Sequence, residues 1–169
     1  KRFLATTIQG IRVINVYVPN GAAVGTDKYE YKLNWLWHLK QYLHEEMQKY
    51  PKLLVLGDFN IAPDDRDVHS PAEWEGSVLV SPPERAAYTE LLNEGLIDSF
   101  RLFEQPESAF SWWDYRQANF RRNRGLRIDL ILLSQALEKM CVASSIDVEP
   151  RKQERPSDHT PVSVEIALN

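Results

Sequence analysis

Leu53 to Leu56 are four apolar residues in a row, preceded by Pro51 and opening onto Gly57-Asp58-Phe59-Asn60. A strand with one wet face alternates apolar and polar side chains, so a short unbroken run reads as a strand covered on both faces. The chain must therefore build layers on either side of that strand. It also delivers a carboxylate, Asp58, to the strand's end, where a sheet would hold it rigidly.

The remaining elements fit such a layered body. Phe3 to Thr7 and Ile11 to Tyr17 are apolar runs separated by Gln9-Gly10, which predicts a β-hairpin. From Asp27 to Tyr50, Leu33, Leu36, Trp37, Lys40, Leu43 and Met47 recur at helical spacing. This predicts an amphipathic helix with Gln41, Glu45, Glu46 and Lys49 on its wet side, stopped by Pro51. Residues 62 to 80 carry proline and charge without a period and read as a loop. Ser81-Pro82-Pro83-Glu84 is a capping-box start with proline at the first helical position, and Gly95 closes that helix. Further strands are expected at Leu126 to Leu133, near Ile146 to Val148 and at Val162 to Ala167, with a short helix around Gln135 to Met140. The pattern predicts one α/β domain with mixed or antiparallel sheets and a helix packed on each side.

At 169 residues the chain is long enough for one domain with a proper core. A net charge of -4 excludes binding of nucleic acid by bulk positive charge and leaves a local basic patch open. Its single cysteine, Cys141, rules out an intramolecular disulfide and reads as a small core residue. With neither a signal peptide nor a transmembrane run in the sequence, a reducing, cytoplasmic setting is expected. The chain opens on Lys1 and is at once in mid-hairpin, so it reads as a fragment lacking upstream residues.

The chemistry gathers at the strand ends. Asp58 alone admits two readings, a turn residue or a catalytic carboxylate. Asn60 favours the second, because a carboxamide two residues on can help hold a water and a phosphate oxygen. Asp129, in Arg127-Ile128-Asp129-Leu130-Ile131, sits among apolar residues and needs a partner. His159, in Ser157-Asp158-His159, is the natural one, since a carboxylate on one ring nitrogen fixes the tautomer and raises the basicity. The bland alternative is that Asp158 and His159 cap a loop. Trp112, Trp113, Tyr115 and Phe120 interleave with Arg116, Arg121, Arg122, Arg124 and Arg127, which favours nucleic acid over a merely solvated loop. His38, His44 and His69 have no metal-ligand spacing.

Asn-Val-Tyr-Val-Pro-Asn-Gly around Tyr17, Gly-Asp-Phe-Asn-Ile-Ala-Pro at 57 to 63, Phe-Ser-Trp-Trp-Asp-Tyr-Arg at 110 to 116, Arg-Gly-Leu-Arg-Ile-Asp at 124 to 129 and Pro-Ser-Asp-His-Thr-Pro-Val at 156 to 162 follow in an order that resembles the exonuclease III family of abasic-site endonucleases. That family lies in the endonuclease/exonuclease/phosphatase superfamily. The resemblance runs nearly end to end. It implies a four-layer α/β-sandwich, Mg²⁺- or Mn²⁺-dependent hydrolysis of DNA phosphodiesters 5′ to abasic sites and from 3′ ends, and a monomer acting on duplex DNA away from membranes. By position it implies that Asp58 activates the attacking water, Asn60 helps hold it, and His159, oriented by Asp129, contacts the scissile phosphate. Asp158 is similar to a metal-binding residue, and Tyr17 to the phenol beside the phosphate. Trp112, Leu126 and Ile128 match the lining of the pocket for the base-less sugar, with Arg116 and Arg124 beside it.

The sequence departs from the family at the front. An early Ser-Phe-Asn-like strand and a Gln-Glu pair whose glutamate is the principal metal ligand are both missing; Gln153-Glu154 lies in a charged loop and does not follow an apolar strand. Residues 1 to 169 thus resemble the C-terminal part of one nuclease domain lacking its first strands, weakly active or inactive alone. Two alternatives stay open: a phosphatase or phosphodiesterase of the superfamily acting on inositol phosphates or lipids, and a DNA-binding module without catalysis.

Overall fold

The computed structural model describes residues 1 to 168. Strands β1 (Phe3–Ile8) and β2 (Ile11–Tyr17) form the expected hairpin, and helix α1 (Asp27–Lys49) crosses over to β3 (Leu53–Asp58), which pairs parallel with β2. Two short loop helices follow: a 3₁₀ turn at Asp65–Asp67 and α2 (Pro71–Trp74). Then come α3 (Pro82–Asn93), β4 (Leu96–Asp98), β5 (Asp129–Ser134), α4 (Gln135–Glu138), β6 (Cys141–Ile146) and β7 (Val162–Ile166). The main sheet has the order β1-β2-β3-β5-β4, and β6-β7 form a second, two-stranded sheet.

Local chemistry explains the helix ends. The Thr26 hydroxyl accepts from the Tyr29 N–H at 3.2 Å, and Asp27 and Glu30 complement the dipole of the first turn of α1. At α3 the Glu84 carboxylate accepts from the Ser81 N–H at 3.2 Å, the reach-back expected of the capping box.

β3 is buried on both faces, as its unbroken apolar run demands. Leu53 and Val55 join Ile14, Val16, Leu130 and Leu132 against Leu36, Leu39 and Leu43 of α1 and Leu91 of α3. Leu54 alternates to the opposite face, where Ile131 and Leu133 meet Leu137, Cys141 and the inner side chains Val162, Val164 and Ile166 of the second sheet. Each such aliphatic burial contributes roughly 1.5–3 kcal/mol. The layers are therefore helices, main sheet, second sheet; both long helices lie on one face, and the other carries the β6-β7 sheet together with the four-residue α4, whose Leu137 packs into that core.

Several local expectations are corrected. The buried stripe of α1 is Tyr29, Lys32, Leu36, Leu39, Leu43 and Glu46, while Trp37 is 53% exposed. Charged residues enter that stripe because partners wait for them: Glu84 for Lys32, and Arg12, whose Nε donates to Glu46 at 2.9 Å. β5 begins at Asp129, three residues later than expected. The preceding Leu126 makes isolated bridges to Val68 and Trp112 instead of joining the sheet. The strand expected near Ile146 to Val148 ends at Ile146: the Asp147 N–H still donates to the Pro161 carbonyl in the same register at 2.9 Å, but Pro161 has no N–H to return, so the ladder stops there.

Gly57 is required by the packing of β3. Its φ is +135°, and a Cβ there would lie 1.9 Å from the Val16 carbonyl oxygen, with nothing flexible to yield. Gly57→Ala is expected to destabilise the fold by about 3 kcal/mol, read as a lowered urea midpoint; an unchanged midpoint would refute this account of the glycine.

Candidate active site

The strand registers bring the acidic signatures together. Tyr17 pairs with Asp58 across β2 and β3, and Asp58 with Asp129 across β3 and β5. Register partners share a face, so these three side chains form one row at the end of the sheet, on the face that carries β6 and β7. His159 completes it. Its Nδ1 is 2.8 Å from Asp129 Oδ2, and its Nε2 is 4.0 Å from Asp58 Oδ2.

Each member is held in place. Ser111, fully buried, accepts on its hydroxyl from the N–H groups of both Ile128 and Asp129 at 3.0 Å, which fixes the start of β5. The loop bearing His159 is sewn to the aromatic segment: Trp113 N–H donates to the Asp158 carbonyl at 3.0 Å and Thr160 N–H to the Ser111 carbonyl at 2.8 Å. Asn60 is buried, with φ +50°, and folds back on Asp58. Its backbone N–H donates to Asp58 Oδ1 at 2.9 Å and its Nδ2 to Asp58 Oδ2 at 3.1 Å and to the Val18 carbonyl at 2.9 Å.

The electrostatics divide the roles. Burial, reinforced by the negative charge of Asp129, pushes the Asp58 carboxyl up to about 6, against the pull of His159. Burial opposes charge on His159, but the hydrogen bond and charge of Asp129, with Asp58 and Asp158 nearby, outweigh it and raise the ring above its ordinary value. A carboxylate able to take a proton near neutral pH thus faces an imidazole biased toward its cationic form. That pair suits acid–base work beside an anionic substrate.

Residues 2 to 159 match the model of the Endonuclease/Exonuclease/phosphatase family. The chain belongs to that family. It is 41% identical to exodeoxyribonuclease III of Haemophilus influenzae over 96% of this chain and 64% of that protein. Its fold superposes with a TM-score of 0.97 on the 3′ phosphatase NExo from Neisseria bound to a product DNA hairpin, at 42% identity over 99% of this chain and 65% of that one. An AP endonuclease from Archaeoglobus fulgidus gives a TM-score of 0.93 at 36% identity, with 99% and 65% covered. The chain therefore spans a little less than two thirds of the length of these relatives. Its α/β architecture is that of the family.

The other expected site residues distribute unevenly. Asp158 lies beside the row, but its Oδ2 accepts from Trp112 Nε1 at 3.0 Å. Leu126 and Ile128 are 0% and 2% exposed, closed into a cluster with Ala62, Val68, Leu79 and Val80. They back the half-buried Trp112 and do not form an open wall, because the 62 to 80 loop packs over them. Arg116 is exposed and paired with Asp114 at 2.5 Å; Arg124 pairs with Glu73. Arg127, expected in the basic patch, is instead buried between Asp67 and Asp98. Trp113 is buried too, leaving Tyr115 as the exposed aromatic of the segment.

Sequence reasoning missed five supporting residues. Ser111 carries no signal alone. Arg151 is buried, stacks 4.7 Å from the Phe120 ring centroid and donates to the Ser157 carbonyl at 2.8 Å, bracing the His159 loop against the aromatic segment. Lys32 occupies a buried stripe position of α1, and a lysine reads as solvated until Glu84, distant in sequence, is known to be its partner. Asp67 and Asp98 read as loop and strand-end carboxylates, and only the fold gives them Arg127.

Among the described residues no three His, Cys, Asp or Glu side chains gather as a metal cluster. The oxygens of Asp58, Asp129 and Asp158 are shared with Asn60, His159 and Trp112 respectively. These groups alone do not make the oxygen cage that Mg²⁺ asks for. No described helix is long and apolar enough to cross a membrane.

Proposed function

We propose that this chain carries the proton-transfer and phosphate-holding part of a DNA-repair nuclease of the exonuclease III type. The observation that carries the proposal is the Asp58, His159, Asp129 constellation at one sheet end, with Asn60 folded onto Asp58. Asp58 takes a proton from the attacking water, and Asn60 keeps the carboxylate aimed and helps hold that water. Protonated His159, oriented by Asp129, stabilises charge on the scissile phosphate. Tyr17 belongs to the same row by strand register, and in this reading its phenol meets a phosphate oxygen. Trp112, with Leu126 and Ile128 behind it, receives the sugar, while exposed Arg116, Arg121 and Arg122 hold backbone phosphates.

Mg²⁺ or Mn²⁺ dependence belongs to this proposal, with Asp158 as a contributed ligand and further oxygens required from outside the residues gathered here. Residues 1 to 169 form part of a single nuclease domain in this reading, with a cytoplasmic setting. The names of its relatives span exonuclease, AP endonuclease and 3′ phosphatase, so abasic sites and blocked 3′ ends are both tested.

Residues 1 to 169, and a form extended to the length of its relatives, are each incubated with a duplex bearing an abasic-site analogue, a duplex ending in a 3′ phosphate, and a soluble inositol phosphate. The extended form is expected to nick or trim DNA with Mg²⁺ and to stop with EDTA, residues 1 to 169 to cut weakly, and inositol phosphate to survive. Phosphate release from the inositol ester with both duplexes intact would sink the nuclease reading. DNA binding without cutting by the extended form would favour a non-catalytic module.

A further inference from the structure

Lys32 is 0% exposed, in the middle of a domain whose other lysines reach solvent or its edge. Its ammonium spends its three donors inside the protein: on the Glu84 carboxylate, on the Asn60 carbonyl at 2.6 Å and on the Asn20 carbonyl at 3.1 Å. A buried lysine is expensive, and an apolar residue would fill an α1 core position more cheaply. What the lysine does that a leucine could not is join two loops. Asn20 and Asn60 belong to the segments that follow β2 and β3, and Asn20 Nδ2 also donates to Asn60 Oδ1 at 3.3 Å.

Asn60 needs that support. It sits in the left-handed region, φ +50°, at the point where the chain leaves β3. Its carboxamide faces Asp58 only while its backbone keeps that conformation. Glu84 in turn is fixed by the capping box of α3, and the Leu79 N–H donates to its Oε1 at 3.0 Å. A continuous polar chain therefore runs from the start of α3, through Glu84, Lys32 and Asn60, to Asp58.

We propose that Lys32 is a positioning residue for Asp58: by holding the Asn60 and Asn20 carbonyls together it keeps the Asn60 carboxamide on the Asp58 carboxylate. The consequence for turnover rests on the nuclease reading above; the consequence for Asn60 does not.

The test uses Lys32→Met and, because a lone Glu84 charge would be left buried, the double variant Lys32→Met with Glu84→Gln. The first readout is the side-chain amide resonance of Asn60 in the ¹H–¹⁵N spectrum, assigned with Asn60→Ala. The second is kcat against KM on the abasic duplex in the extended form. The double variant is expected to fold, to move the Asn60 amide resonance, and to lower kcat about tenfold with KM within twofold. A folded double variant with that resonance and kcat both unchanged would overturn the proposal. So would a double variant that fails to fold, which would assign Lys32 to stability alone. A moved resonance in a protein that cuts no phosphodiester would uphold the positioning role and reject the nuclease reading.

Discussion

Asp58→Asn is expected to lower turnover by about 10³-fold, within the range that a positioned general base contributes, while making the fold more stable at neutral pH. The two effects have one cause. In the proposed nuclease reading the carboxylate serves where it is because it can take a proton, and it is costly there because burial and Asp129 disfavour its charge. In the folded protein its proton leaves near pH 6, in the unfolded chain near the ordinary 3.8. Below pH 3.8 both states are protonated and the buried acid brings no penalty. Between 3.8 and 6 the unfolded chain holds fewer protons than the folded one, so stability falls as pH rises. Above 6 the loss is complete, and a shift of about two units corresponds to about 3 kcal/mol.

An asparagine is neutral throughout and escapes that loss. The stability of Asp58→Asn minus that of wild type should therefore climb by about 3 kcal/mol from below pH 3 to pH 7, starting from zero or slightly below, since the amide accepts less well from Asn60. Urea titrations at several pH values measure it, and DNA cleavage by the extended form measures the other half. A difference that stays flat with pH would mean that Asp58 ionises freely in the fold. Retained cleavage would remove it from the role of base.

The sequence made the site legible and left its foundations hidden, for a physical reason. Asp58, Asn60, Asp129 and His159 lie in short motifs at strand ends, where polar residues next to apolar runs stand out. The row they form with Tyr17 follows once the strands pair in the observed register, which sets Tyr17 opposite Asp58 and Asp58 opposite Asp129. Lys32, Glu46, Asp67, Asp98 and Arg127 could not be recognised in the same way. A charged residue reads as solvated until its partner is known, and their partners are distant in sequence: Glu84 for Lys32, Arg12 for Glu46, the two aspartates for Arg127. The same blindness put Trp37 in the core, since an indole at helical spacing looks buried when the charges that displace it look wet. The limits of β5 and β6 failed differently. Leu126 and Ile128 are apolar because they pack under the 62 to 80 loop, and apolarity alone does not tell a ladder from an isolated bridge.

Arg127→Met is expected to destabilise the fold by about 3–5 kcal/mol, the range for breaking a buried ion pair from one side. Arg127 is 1% exposed; its Nε donates to Asp67 Oδ1 at 2.6 Å and its Nη2 to Asp98 Oδ2 at 2.6 Å. Burial works against its charge, yet the two carboxylates more than compensate and hold the guanidinium protonated. Burial first, and then the negative charge of Asp98, raise the Tyr88 phenol against the pull of Arg127; the phenol donates to Asp98 Oδ2 at 3.3 Å. Without the guanidinium, Asp67 and Asp98 face each other buried, with Arg101 left to neutralise only Asp67. The network joins the 62 to 80 loop, β4 and the residue that leads into Asp129, so its failure should loosen both the loop that packs over Leu126 and the start of β5. If the damage comes from uncompensated charge, Arg127→Met with Asp67→Asn and Asp98→Asn should recover more than half of the lost stability in urea. A loss below 1 kcal/mol for the single variant, or no recovery in the triple, would show that shape and not charge is what Arg127 supplies.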